Sequence, residues 1–450
     1  MKGQMEIERG KSGMVPAAAT AENKKRQKAK GAYLALLILS ALYFARPEDV
    51  IPGLNVIPLA KIAGGIALVA LILTLMSGRS KQKLAPEVKC LLGFFVWYCI
   101  TIPFAYWRGG AFNTVMTRLS KDIIAGLLVA VLVEHLWQLR RLIWVQAGAV
   151  AAMTALSVGL HHTKGGRLTG VLGGVFENPN DLAINIALNW PLCVAFFFLA
   201  RGFKKALWAG GILIMLIGVE LTYSRSGFLA MALAGVLVLW EFAVHGRRFY
   251  LIFLGGFLGV ALLIVAPGHY AQRIASIVTG QQEDTMDRGS REARKQLFLE
   301  SVRMAVHNPV FGVGAGNFEV LSGNWHVAHN TYTEIAAEGG FPALMLFLFV
   351  IYRTFFNLRQ VRKSNVYKLD SEIRILTGGL WVAVVAYLVS AFFASTEYSM
   401  YPYFLVAYTT ALYQITREQS QLTEGDGAPE TGIRGQRSYG KRQAELAGTR

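Results

Sequence analysis

The chain predicts an all-α polytopic membrane protein with about twelve transmembrane helices and a large extracytoplasmic loop that contains short helices of its own. Three observations carry that prediction. Hydrophobic residues fill 54% of the 450 positions and charged residues only 16%, which is more apolar and less charged than a soluble domain of this size. The apolar residues gather into a dozen runs, most of them near the ~20 residues that cross a bilayer as helix. The basic residues between those runs are concentrated in every second connection, as the insertion bias of membrane helices requires.

In chain order, residues 1–30 are polar and hold eight Lys or Arg. They are expected to form a disordered cytoplasmic tail. The apolar run that follows leads into Arg46-Pro47 rather than a small-residue cleavage site, so no signal peptide is expected. The first nine spans are expected within 31–266, at roughly 32–45, 54–76, 88–106, 114–135, 142–160, 181–200, 206–223, 226–244 and 249–266. A loop at 267–340 follows, then three spans within 341–416, at 341–358, 375–395 and 399–416, and a second disordered tail at 417–450. Cys90, Cys99 and Cys193 all lie in apolar runs, where they act as small hydrophobes. No internal repeat is evident.

Charge tests the count, because one missed or invented span would put every later loop on the wrong side. With the N-terminus inside, the inner connections hold Arg79-to-Lys89, Arg140-Arg141, Arg201-to-Lys205, Arg247-Arg248 and Arg353-to-Arg374, and with the two tails they carry the larger share of the 45 Lys and Arg. The net charge of +17 is therefore read as orientation, with membrane lipids and not nucleic acid as the partner.

The polar residues left to explain then fall on the outer side. Thr222-Tyr-Ser-Arg-Ser-Gly227 is a short turn between two apolar spans, so Arg225 sits at the membrane boundary, where an ionisable group is either paired, with Glu220 for instance, or functional. A guanidinium there suits a diphosphate, since its planar fork grips two oxygens and keeps its proton. Residues 291–307 read as an amphipathic helix with Phe298, Val302 and Ala305 at i, i+4 and i+7 and with Arg291, Arg294 and Lys295 near its start; Asn308-Pro309 ends it. Such a helix also suits a bed of anionic headgroups. Gly312-Val-Gly-Ala-Gly316 lacks the βαβ setting of a dinucleotide loop and reads as tight turns. His326 and His329, with Glu334 and Glu338 beyond, have a spacing that a metal could use. Thr331-x-x-Glu334 also forms a capping box, and Gly339-Gly340 closes the turn, so the carboxylates have structural roles and no metal is expected. Asn178-Pro179 reads as an N-cap with proline at N1.

Taken together, Gly166-Arg-Leu-Thr-Gly170, Phe176-Glu-Asn-Pro-Asn-Asp181, Tyr223-Ser-Arg-Ser-Gly227, the arginine-led helix ending in Asn308-to-Phe318, and Ala328-His-Asn-Thr-Tyr332 with Glu338-Gly-Gly340 resemble the O-antigen ligase and polymerase family of bacterial membrane proteins. The resemblance is best over about residues 150–345. Phe298 stands where many relatives have Trp, and Gly314-Ala-Gly316 replaces Gly-Pro-Gly. It implies a bacterial inner-membrane enzyme, whose termini the charge pattern puts in the cytoplasm, which moves a glycan from an undecaprenyl-diphosphate carrier to an acceptor lipid, glycan or protein. It further implies an inverting, metal-independent reaction without a cofactor. By position it assigns catalysis to Arg225, Arg294 and His329, with Arg291 as the alternative to Arg294, and substrate binding to Arg167, Arg291, Asn180 and Asn330. A polymerase, whose acceptor is a second lipid-linked unit, would use the same donor and the same residues. A transporter of lipid-linked sugars would instead need its ionisable residues at mid-membrane.

Overall fold

The computed structural model describes residues 17–47, 59–76, 84–171, 176–265, 285–323 and 326–425. These form sixteen helical segments and one small hairpin. Helices α1 (Ala17–Ala45), α2 (Leu59–Met76) and α3 (Pro86–Thr101) come first, followed by α4 (Arg108–Thr114) and α5 (Ser120–Leu132), joined by a π-helical turn at Val115–Leu119. Next are α6 (Leu136–Gly159), a hairpin of β1 (Thr163–Lys164) and β2 (Arg167–Leu168) with Lys164 paired to Arg167, and α7 (Pro179–Leu199). Helices α8 (Phe203–Leu221), α9 (Arg225–Val238, extended by π-helix to His245) and α10 (Tyr250–Val265) complete the first part. The remainder is α11 (Thr285–His307), α12 (Phe318–Leu321), α13 (Thr331–Lys363), α14 (Asn365–Leu369), α15 (Ser371–Ser390) and α16 (Met400–Gly425).

Every one of the twelve apolar stretches overlaps a helix, but only six helices among the described residues are long and apolar enough to cross a membrane: Pro86–Phe104, Leu136–Gly159, Pro179–Leu199, Arg225–His245, Thr331–Lys363 and Ser371–Ser390. Three apolar helices are shorter, at Gly31–Ala45, Ile62–Leu73 and Tyr250–Ala261. In α8 the charges Lys204, Lys205 and Glu220 sit at the ends of the apolar stretch, and in α16 tyrosines and threonines dilute it. The twelvefold count thus rests on helices whose apolar length is marginal. The tails expected to be disordered are helical at their inner ends, since α1 starts at Ala17 and α16 runs to Gly425. The helix expected at 291–307 starts at Thr285 and stops at His307, as its Asn-Pro end requires.

Helix α7 is the centre of the bundle. It packs against α6, α8, α9 and α15, and its residues Leu182 to Phe196 are buried without a break. A helix that is apolar on every side belongs in such a position. Glycine sets how closely α9 crosses it: a Cβ at Gly227 would collide with the Cβ of Ala183, so the last residue of the Ser-Arg-Ser-Gly motif is a packing requirement. At the rim, Glu87 on α3 accepts hydrogen bonds from Asn357 Nδ2 (2.6 Å) and Arg353 Nε (3.4 Å) on α13 and from Thr410 Oγ1 (3.0 Å) on α16. A buried carboxylate is tolerable only with partners of that kind.

Helix α13 changes direction at Gly340, which has φ 72° and ψ 177°, at the boundary expected between loop and span. Four of the backbone groups released there are re-used. The Ala337, Glu338 and Gly339 carbonyls accept from Val313 N (2.8 Å), Gly314 N (2.9 Å) and Trp97 Nε1 (2.7 Å), while Phe341 N donates to the Pro309 carbonyl (2.8 Å). Buried peptide groups must be paired, so the kink and the glycine-rich loop fix one another. Gly312, Gly314 and Gly316 all have positive φ, as the reading of tight turns expects.

Candidate functional site

Three segments converge beyond the kink. The first is Ala328-His329-Asn330, leading into α13. Asn330 is the N-cap: its Oδ1 accepts from Tyr332 N and Thr333 N, both at 3.1 Å. This displaces the expected capping box by one residue. Thr331 is the first helical residue, and its hydroxyl reaches across to the Ala394 carbonyl (2.7 Å) and Thr396, while its N–H donates to the Ala391 carbonyl (2.8 Å). Glu334 is not a cap partner. Its carboxylate accepts from Ala328 N (2.9 Å) and from the Ser395 hydroxyl. Glu338 likewise points inward, accepting from Phe318 N (3.1 Å) and from the Tyr398 hydroxyl. The two carboxylates that the sequence offered to a metal are therefore engaged in tying loops together. His329, between these clamps, has φ 55°, a left-handed conformation that a non-glycine residue keeps only where its surroundings hold it.

The second segment is α11, which lies along the first turns of α13, with Ser301 Oγ donating to Thr333 Oγ1 (2.8 Å). Its inward face carries Arg294, Leu297, Ser301, Met304 and Ala305. Of the residues expected at i, i+4 and i+7, Ala305 is buried here and Phe298 and Val302 are exposed. The third segment is the connection between α15 and α16. Together the three border a half-open cavity of about 380 Å³ lined by Arg294, Lys295 and Phe298, by Ala328, His329 and Asn330, and by Phe392 and Phe393.

Arg225 is the first residue of α9. Ser224 is the N-cap, its hydroxyl accepting from Gly227 N (3.2 Å), and the preceding Tyr223 has φ 51°. Arg167, at the start of β2, donates through Nε to the Thr222 carbonyl and through a terminal nitrogen to Asn180 Oδ1, both at 2.8 Å. Asn180 stands one residue after the Asn178 cap and Pro179, so Arg167 ties the N-terminus of α7 to the turn that presents Arg225. Asn180 and Asn330 are thus both occupied in holding local structure. Arg291 lies on α11, and its side chain is outside the described residues.

Electrostatics brings the separate segments into one site. Burial lowers the pKa of Arg294, Arg225 lowers it further, and Asp181 opposes them. His329 is lowered to about 4 by burial, with Arg294 and then His326 acting in the same direction. Arg225 and Asp181 therefore lie within electrostatic reach of Arg294, and Arg294 within reach of His329. The imidazole is neutral at pH 7 and able to accept a proton.

Residues 210–348 match the family model described as O-antigen ligase. Those residues form an O-antigen ligase family domain. The domain includes Arg225, Arg294 and His329, while Arg167, Asn180, Phe392 and Phe393 complete the surroundings from outside it. No curated protein matches the chain. Phe392 and Phe393 are absent from the sequence reading because nothing in a Phe pair at the end of an apolar run separates it from the run. Hydrogen bonds of Thr331, Asn330 and Glu334 to the 391–396 connection bring the pair to the cavity.

Proposed function

We propose that the chain is a multi-pass inner-membrane glycosyltransferase of the ligase type, moving a glycan from an undecaprenyl-diphosphate carrier to an acceptor hydroxyl on the outer side of the membrane. One observation carries the reading: within an O-antigen ligase domain, Arg294, Lys295 and His329 line a single cavity, and Arg225 lies within electrostatic reach of Arg294. A cationic pocket with a neutral imidazole at its edge fits a reaction that must hold a diphosphate and deprotonate a hydroxyl.

In the proposed step the acceptor oxygen attacks the anomeric carbon. A new carbon–oxygen bond forms there as the bond to the diphosphate oxygen breaks, and the diphosphate leaves with the electron pair. Backside attack inverts the centre. Arg225 and Arg294 grip the diphosphate and stabilise the charge that grows on it, the largest effect the site can supply. His329 takes the hydroxyl proton. Arg167, already bonded to Thr222 and Asn180, keeps the α7 and α9 termini in register for the donor.

Donor binding also prepares the base. Arg294 is among the groups that hold His329 low, and a diphosphate placed beside Arg294 offsets that charge. The imidazole becomes more basic when the leaving group is in place.

The test is incubation of the purified full-length protein with an undecaprenyl-diphosphate oligosaccharide, following release of the carrier with and without each acceptor. A new glycoconjugate is the expected product. A lengthening lipid-linked chain would make the enzyme a polymerase instead, and absence of any release under all conditions would leave transfer unsupported. The His329→Ala variant, accumulating in the membrane like the parent, is expected to lose transfer; undiminished turnover would remove the base from His329.

A further inference from the structure

Helix α11 has three faces, where a helix on the surface of a soluble protein has two. The first is buried against the protein and carries Arg294, Leu297, Ser301 and Ala305. Turning onward by the 3.6-residue period, the next face, about 100° wide, presents Phe298, Leu299, Val302 and Val306, which are exposed by 37–62%. The third is wholly polar and exposed, with Glu292, Gln296, Glu300, Arg303 and His307. A helix with one side on protein and the other in water has no use for the middle face, since contiguous exposed apolar side chains mark a surface that something covers.

We propose that this face is embedded in the membrane surface, so that α11 lies in the interfacial plane with protein on one side, lipid beneath and water above. Continuity with the spanning part of the chain favours lipid as the occupant. The segment that ends α11 is fastened to the head of a span by the hydrogen bond from Phe341 N to the Pro309 carbonyl. Val310 next to it is 49% exposed, and the outward residues of that span, Phe341 and Met345, are 43% and 70% exposed. The uncovered apolar face of α11 therefore meets the level at which the lipid-facing surface of α13 begins. A helix with segregated apolar and charged faces, parallel to the boundary, is the form that binds there. Lys295 and Phe298 also line the cavity, so this face runs on into the cavity mouth. One consequence rests on the donor reading given above: docking fixes Arg294, on the adjoining face, at headgroup depth, where the diphosphate of a lipid carrier lies.

The position of the face is measurable without turnover, so it stands or falls separately from glycan transfer. Single cysteines Val302→Cys, Val306→Cys, Arg303→Cys and His307→Cys are placed in the full chain with Cys90, Cys99 and Cys193 replaced by alanine. Each is labelled with an environment-sensitive fluorophore and reconstituted into phosphatidylethanolamine/phosphatidylglycerol nanodiscs. At 302 and 306 the expected result is loss of fluorescence to bromine-bearing phospholipid and protection from aqueous iodide, with the reverse at 303 and 307. If iodide reaches 302 and 306 as readily as 303, the face is in water and the proposal fails. If neither quencher reaches them, the face is covered by protein, such as a second copy of the chain, and the proposal fails equally. Should the cysteine-free chain not fold, a genetically encoded fluorescent residue at the same four positions in the native background gives the same readout.

Discussion

His329 combines a left-handed backbone with a pKa lowered to about 4, and the two together set a pH signature. Catalysis by a base needs the neutral imidazole, so activity falls as pH drops through the pKa. In the free enzyme that pKa is low, and the acid limb of kcat/KM is expected near pH 4 and not near the ordinary histidine value. With donor bound, the charge on Arg294 is offset, so the acid limb of kcat is expected at higher pH than that of kcat/KM. Profiles of both parameters between pH 3.5 and 8 check this, and a shared limb near 6.5 would show that the burial and charge described here do not act on the base. The arginines give a second prediction at this scale. Arg225→Lys and Arg294→Lys keep the charge but lose the fork that holds two oxygens. Loss of a charge-assisted hydrogen bond, about 1.5–3 kcal/mol, is expected to lower kcat/KM for the donor roughly 10- to 100-fold. An unchanged kcat/KM would place the diphosphate elsewhere.

Among the elements, the first turns of α13 set the geometry of the site through one buried side chain. Glu334, 2% exposed, holds Ala328 N–H on one lip of the cavity and Ser395 on the other. In Glu334→Ala the buried Ala328 N–H loses its acceptor, a penalty of about 1–3 kcal/mol. Because Ala328 adjoins His329, the expected result is a fall in kcat of roughly 10- to 100-fold with donor KM unchanged. Glu334→Gln keeps an oxygen for Ala328 N–H and should recover most of it. Unfolding would also lower apparent kcat at constant KM, so kcat is referred to the folded fraction of each variant, and a loss that vanishes on that basis would assign Glu334 to stability alone. This clamp also marks what the sequence can and cannot reveal. Helix ends with local chemistry are legible: Asn178-Pro179 caps α7, Asn308-Pro309 ends α11 and Gly340 turns α13, because each depends on residues a few positions apart. The grouping of Arg225, Arg294 and His329 came from motif order alone. Glu334 has the spacing of half a capping box, yet its partner Ser395 is 61 residues away, and no local pattern reports a contact at that range. The same limit applies to α11: periodicity detects apolar residues on one side of a helix without telling a face that packs on protein from one left open.

For the whole molecule, what matters is which side of the membrane the site faces. Six helices qualify as spans by length and composition, whereas the charge pattern of the connections calls for twelve. The marginal helices decide the sidedness. An apolar helix of fifteen residues such as Gly31–Ala45 covers about 22 Å at 1.5 Å per residue, against a hydrocarbon core of about 30 Å, and it can cross only with help from thinning or snorkelling neighbours. If all twelve cross, the basic connections at Arg140-Arg141, Arg201-to-Lys205 and Arg247-Arg248 lie together on the inner side and the segment before α11 lies opposite. Reporter fusions distinguish the cases. A cytosol-active reporter is expected to work after residue 248 and after residue 417, and a reporter active only outside the cytosol after residue 280. The experiment bears on the chemistry as well as the count. A phosphatase fusion silent at 280 alongside a cytosolic reporter active there would turn the cavity, with Arg294 and His329, toward the cytosol. A lipid carrier presenting its diphosphate on the outer face would then be out of reach, however well the cavity is shaped to hold it.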